Sequence, residues 1–199
     1  MTELGDLLEL LHGARNRFRT VRLVLRSSNP GAKASELFRI SLEQGRKVRE
    51  DWEGVYGDQR RTGIAVRDGS RWWSWSPDTG VVSTDTHPDA VSNAGKRADH
   101  LLDPALMLAV ADFEVLGHSR AAGRDALRVR AMPRDVPDWV EGTLVRVADK
   151  HELTIDAERG VVLRIESRAG GELRLLEEVT EIAFDDEFSP DTFVFAPPA

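Results

Sequence analysis

Apolar residues change period early in this chain. Leu4, Leu7, Leu8, Leu11, Ala14 and Phe18 recur at intervals of three and four. That is the spacing of one helix face, and it predicts a helix over residues 2–18. Thr2 stands at the N-cap position, and Asp6 puts a negative charge near the positive end of the helix dipole. From Thr20 the period drops to two. Val21, Leu23 and Leu25 alternate with Arg22, Val24 and Arg26 until Ser27-Ser28-Asn29-Pro30-Gly31 breaks the run.

The alternation continues through short strands separated by turn residues. Phe38, Ile40 and Leu42 share one face, Gln44-Gly45 turns the chain, and Val48, Glu50 and Trp52 share a face of the next strand. Ile64 and Val66 precede the turn Asp68-Gly69, and Trp73 and Trp75 share a face. Pro77-Asp78-Thr79-Gly80 then leads to Val81-Val82. A polar stretch, His87 to Asp99, reads as a loop. After it Asp103-Pro104 supplies an N-cap and a first-turn proline for a second helix over 103–112, whose apolar side draws on Leu101, Leu102, Leu106, Met107, Val110 and Ala111. Strands resume at Phe113-Glu114-Val115-Leu116, turn at Ala122-Gly123, and continue through Ala126 to Val129. An irregular stretch from Pro133 to Gly142 contains Trp139. Further strands follow on either side of Ala157–Gly160 and Gly170-Gly171, and Phe193-Val194-Phe195 reads as a short edge strand stopped by prolines. The expectation is a mainly β, α+β chain: one domain over 1–199, with about nine to eleven antiparallel strands in an unclosed barrel wrapped around helices.

Composition narrows the function. With 199 residues the chain is long enough to bury a core without a disulfide or a structural metal. It contains no cysteine, which excludes thiolate zinc sites, iron–sulfur clusters and a Cys nucleophile. The 27 Lys and Arg against 34 Asp and Glu give a net charge of −7, which argues against a nucleic-acid partner. Residues 1–80 carry +3 (14 basic, 11 acidic) and residues 81–199 carry −10 (13 basic, 23 acidic). The longest apolar run, Ala105 to Ala111, is far short of the roughly 20 residues that span a bilayer, and the first residues carry no signal-peptide pattern. As it stands the chain reads as cytoplasmic, or as a cell-envelope protein if a leader is removed.

Catalytic signatures are missing. Asp78-Thr79-Gly80 has the letters of an aspartic-protease loop, but it occurs once, after Trp75-Ser76-Pro77, and reads as a turn. His12, His87, His100, His118 and His151 show no metal-binding spacing and read as surface or capping residues. Glu177-Glu178 with Glu181, and Asp185-Asp186-Glu187, read as a solvated face and a strand-end turn. Arg15, Arg17, Arg19, Arg22 and Arg26 read as a solvent-facing edge. No cofactor and no metal are expected. The informative set is aromatic and apolar. Phe38, Ile40, Leu42, Val48, Trp52, Ile64, Val66, Trp73 and Trp75 are expected to line a hydrophobic cavity or to fill the core. Glu50 sits among them and needs a partner such as Arg39 or Arg71. Leu102, Leu106 and Met107 are expected to form a pivoting lid over the aromatic strands.

The order of these elements resembles the lipoprotein-carrier (LolA/LolB-like) superfamily. The likeness rests on the amphipathic first helix, the meander Val66-Arg67-Asp68-Gly69-Ser70-Arg71-Trp72-Trp73-Ser74-Trp75-Ser76-Pro77-Asp78, and the helix beginning Leu101-Leu102-Asp103-Pro104. Gly123 to Val129, the unit from Leu153-Thr154-Ile155-Asp156 to Gly160–Ile165, Glu178–Ile182, and the closing Phe193-Val194-Phe195-Ala196-Pro197-Pro198 extend it over nearly the whole chain. The resemblance implies an unclosed barrel whose concave side is covered by helices, enclosing a cavity for acyl chains, in a non-catalytic protein. Two functions therefore stand: binding or carrying a lipid, acyl chain or other apolar ligand, and a protein-interaction or sensor module with a filled barrel.

Overall fold

The structure, a computed structural model, describes residues 4–44, 47–85, 96–135 and 148–196; the side chains of 84, 85 and 96–98 lie outside the description. The expected loop at His87 to Asp99 and the stretch containing Trp139 fall largely or wholly outside the described residues.

Helix α1 (Leu4–Gly13) is extended by a 3-10 turn at Ala14–Arg17 and ends as Phe18 adopts an extended backbone. The first meander comprises β1 (Thr20–Asn29), β2 (Ala34–Glu43), β3 (Lys47–Tyr56), β4 (Gln59–Asp68), β5 (Arg71–Ser76) and β6 (Gly80–Asp85). Helix α2 (Lys96–Leu102), a 3-10 turn at Pro104–Leu106 and α3 (Met107–Val110) follow. The second meander is β7 (Ala111–Ala121), β8 (Arg124–Pro133), β9 (Lys150–Asp156), β10 (Val162–Ala169) and β11 (Glu172–Phe184). All eleven strands form one sheet in the order β6-β5-β4-β3-β2-β1-β11-β10-β9-β8-β7, with every pairing antiparallel. The first strand pairs with the last, from Val21↔Phe184 to Ser28↔Leu176, which joins the two meanders and puts β6 and β7 at the two ends of the sheet among the described residues. This is the expected unclosed antiparallel barrel. No helix among the described residues is long and apolar enough to cross a membrane.

The core lies on the inner face. Leu7 and Leu11 of α1 and Leu101, Leu102 and Met107 of the helical segment pack with Leu23, Leu25, Ile40, Leu153, Ile155, Leu163 and Ile165. Alternation along the strands produces that face, because every second residue must leave water while its neighbours stay solvated.

Two expected elements differ. The second helix is not continuous over 103–112. Asp103 leaves the helical region, Pro104 starts a 3-10 turn, and Ala111 and Asp112 already belong to β7. The backbone needs of an X-Pro junction prevail over the apolar period there. Nor are Phe193–Phe195 a strand. After β11 the chain crosses the outer face of the first meander: Arg22 lies over the Phe188 ring, Arg49 Nη1 donates to the Val194 carbonyl at 3.5 Å, and Phe195 stacks on Trp73 at 6.3 Å between ring centroids. Arg22, Ser41, Arg49, Val66 and Trp73 are cross-strand neighbours in one row, so this segment runs as a strap perpendicular to β1–β5.

Candidate functional site

Strand register decides which candidate residues meet. The two-residue turn at Gly57-Asp58 pairs Tyr56 with Gln59, and the ladder then sets Trp52 opposite Gly63, Glu50 opposite Ala65 and Val48 opposite Arg67. Across the next hairpin Ala65 faces Ser74, and Arg67 faces Trp72. Phe38, Ile40, Leu42, Val48, Glu50 and Trp52 therefore share the inner face, continued by Gly63, Ala65, Trp72 and Ser74. Ile64, Val66, Trp73 and Trp75 have the opposite parity and project from the outer face. The ladder thus divides the ten expected cavity residues by parity between the two faces, because a shift of one residue moves a strand's whole apolar set to the other side of the sheet. Val66 is fully buried all the same, in the row that the strap crosses.

Most of the inner face is closed by packing. Phe38, Ile40 and Val48 are buried in the common core, and Leu42 and Trp52 pack against it. Of the three lid residues, Leu102 and Met107 are core members, whereas Leu106 is 75% exposed. The helical segment packs on α1, β7 and β10.

Part of the inner face stays open among the described residues. A pocket of about 230 Å³ is lined by Glu50, Trp52, Ile64, Ala65, Trp72, Ser74, Trp75, Ser76 and Thr79. The Trp52 indole lies flat across Gly63, where a Cβ would stand 2.6 Å from its ring atoms; glycine at that position lets the ring reach the sheet. Glu50 is only 8% exposed. Trp72 Nε1 is buried without a hydrogen-bond partner among the described residues. Arg39, named as a partner for Glu50, instead reaches Glu53 at 3.3 Å on the outer face. Arg67 donates from Nε to the Gly69 carbonyl at 3.3 Å.

A larger groove, about 790 Å³, lies at the far end of β1–β4 and β11. Arg26, Leu37, Glu53, Val55, Arg60, Thr62, Leu176 and Glu178 line it, all from outer-face positions.

Several polar residues play roles that local spacing does not show. His151 and Glu177, read as a surface histidine and a solvated carboxylate, are each 2% exposed. His100 Nε2 lies 2.8 Å from Glu177 Oε2, tying α2 to β11. His151 Nδ1 lies 2.8 Å from Ser167 Oγ, and burial pushes the His151 pKa down to about 4, opposed by Asp149. The imidazole is therefore neutral at physiological pH. Three of the N-terminal arginines have separate structural tasks: Arg15 pairs with Asp103 at 3.1 Å, Arg17 donates to the Glu158 carbonyl at 3.3 Å, and Arg22 covers Phe188. Among the described residues no cluster of three His, Asp or Glu side chains is placed to hold a metal.

No protein-family model matches the chain, and no curated protein matches its sequence. Solved structures match over nearly its full length. MucB is 19% identical at a TM-score of 0.59, the match covering 96% of this chain and 62% of MucB; MucB of Pseudomonas aeruginosa has also been solved in complex with MucA. An uncharacterised conserved protein from Thermus thermophilus is 11% identical at a TM-score of 0.59, over 98% of this chain and 95% of that one. Lipoprotein LppX of Mycobacterium tuberculosis is 9% identical at a TM-score of 0.51, over 89% and 94%. The chain thus spans about three fifths of the length of MucB. At these identities the likeness is one of fold, and as a fold the LolA-like resemblance is borne out.

Proposed function

We propose that this chain is a non-enzymatic binding domain that takes up an apolar group in the inner-face pocket between β3, β4 and β5. The observation that carries this reading is the pocket itself. Where packed side chains close most of the inner face, Trp52 and Trp72 border about 230 Å³ of open space beside a buried carboxylate. Drug-sized ligands occupy roughly 300–1,000 Å³. The pocket therefore suits a small molecule, or the end of one chain. The lining offers indoles, hydroxyls and one carboxylate, a set suited to binding rather than to nucleophilic chemistry.

A second reading, a protein-interaction module, is favoured by the outer groove. It is the more spacious of the two, and its floor is the apolar trio Leu37, Val55 and Leu176. The MucB likeness supports this reading, since MucB is solved with MucA.

Native and denaturing mass spectrometry of the protein purified from its own host separates the two. The pocket reading expects a small molecule that is retained natively, lost on denaturation, and absent from an Ala65→Leu variant, in which the larger side chain fills the space. A wild-type protein free of small molecules but carrying a polypeptide that Leu37→Asp releases would establish the second reading instead.

A further inference from the structure

We propose that the inner-face pocket binds a small uncharged ring that carries a hydroxyl group, as in a phenol. The inference rests on the pocket being the ligand site and specifies its chemistry. The decisive group is Trp72. Its Nε1–H is buried without a partner among the described residues, and an indole N–H can only donate. Buried donors in folded proteins have acceptors, so the ligand that completes Trp72 brings one, and an oxygen is the commonest. Trp72 is part of the pocket lining, where a ligand can supply that atom.

The rest of the lining narrows the acceptor to a hydroxyl. Ser74, Ser76, Thr79 and the Glu50 carboxylate line the same space, and each carries lone pairs that accept. Ser76 Oγ and Thr79 Oγ1 lie 2.8 Å apart, one donating to the other, and both keep acceptor capacity. Glu50 is already engaged within the chain, and a carboxylate accepts at about four positions, so a further donor joins its partners without displacing them. A hydroxyl is the smallest group that accepts from Trp72 and donates to one of these oxygens. No charge is asked of the ligand. Glu50 and Arg67, which stands opposite Trp72 in the ladder, supply both signs from the chain itself, and a neutral ligand enters without the cost of desolvating an ion. A ring suits the walls. Trp52, Trp72 and Trp75 all line the space, indoles favour offset or edge contact with another ring, and about 230 Å³ holds a single ring with a short substituent.

Calorimetric titration with para-cresol and para-xylene tests the proposal, because the two differ only in a hydroxyl standing where the other has a methyl. Burial of apolar surface alone favours para-xylene. The expected result is the reverse, with para-cresol bound about tenfold tighter or more, and para-toluate, an anionic acceptor on the same ring, bound more weakly than para-cresol. Equal affinity for cresol and xylene, or tighter binding of xylene, would overturn the hydroxyl assignment and leave an apolar pocket standing. Para-toluate binding at least as tightly as para-cresol would overturn the neutral assignment. Binding of none of the three would overturn the pocket reading as well. These comparisons need no variant to fold. In Trp72→Phe, which keeps a ring and deletes the N–H, the preference for para-cresol over para-xylene is expected to disappear, and an unchanged preference there would overturn the role given to that donor.

Discussion

Gly160→Ala is expected to lower stability by about 2–5 kcal/mol, which for a chain of this length is a fall in Tm of roughly 5–20 °C. Gly160 sits in the β9–β10 turn at φ +75°, in the left-handed region. A non-glycine residue there costs about 1–2 kcal/mol before any contact is counted. Contact adds more: a Cβ at Gly160 would stand 2.3 Å from the Leu10 carbonyl oxygen, so α1 must back away from the turn or the turn must open. Overpacking of that kind costs about 1–3 kcal/mol. Gly123 supplies the control. It has nearly the same φ, +76°, with nothing within 4 Å of the added Cβ, so Gly123→Ala isolates the backbone cost. Thermal melts of both variants that fall by the same amount would show that α1 is not seated on this turn.

A loss of about 1–3 kcal/mol is expected for Asp156→Ala, the cost of leaving buried hydrogen-bond donors unsatisfied. Asp156 closes β9 with no exposed surface. Its Oδ1 accepts from the Glu158 and Arg159 backbone N–H groups at 2.9 and 2.8 Å, and its Oδ2 accepts from Arg124 Nε. That bond holds the Arg124 guanidinium above its ordinary pKa, and Arg124 in turn reaches Glu158 at 2.8 Å and lies 5.2 Å from the Phe184 ring centroid. Arg159, equally close to Phe184, bonds the Arg17 carbonyl and Asp185. Deleting the carboxylate leaves two backbone N–H groups without their acceptor and leaves Arg124 with Glu158 alone, at the seat of α1. Asp156→Asn keeps the acceptor for the turn but not the charge, and is expected to fall between wild type and alanine in chemical denaturation. An alanine variant within about 1 kcal/mol of wild type, the worth of an exposed pair, would refute this role for Asp156.

The fold is legible in the sequence because most segments obey a single period. Val21, Leu23 and Leu25 on one strand and Phe38 and Ile40 on the next alternate cleanly, and the hairpin turns at Ala122-Gly123 and Gly170-Gly171 take the positive φ values that such pairs adopt. The candidate site is half legible. Alternation alone places Glu50 and Trp52 on the correct strand and face, but it groups Trp73 and Trp75 with them although the ladder sends those two outward. The missing signal is present in the chain. A two-residue turn at Gly57-Asp58 forces an odd-numbered residue of β4 opposite each even-numbered one of β3, so Trp72, not Trp73, joins Trp52. His151 and Glu177 are beyond reach for another reason. Their burial depends on β9, β10, β11 and α2 coming together, which no local period encodes.

The assignment of faces, on which the proposed pocket depends, is open to one direct measurement. Fluorine NMR of protein labelled with 5-fluorotryptophan, its resonances assigned by single Trp→Phe substitutions, is followed during titration with methyl hexanoate. The Trp52 and Trp72 resonances should shift together while that of Trp73, on the other side of the sheet and outside the pocket lining, stays in place. A shift confined to Trp73, or no shift at saturating ester, would contradict an inner-face ligand pocket.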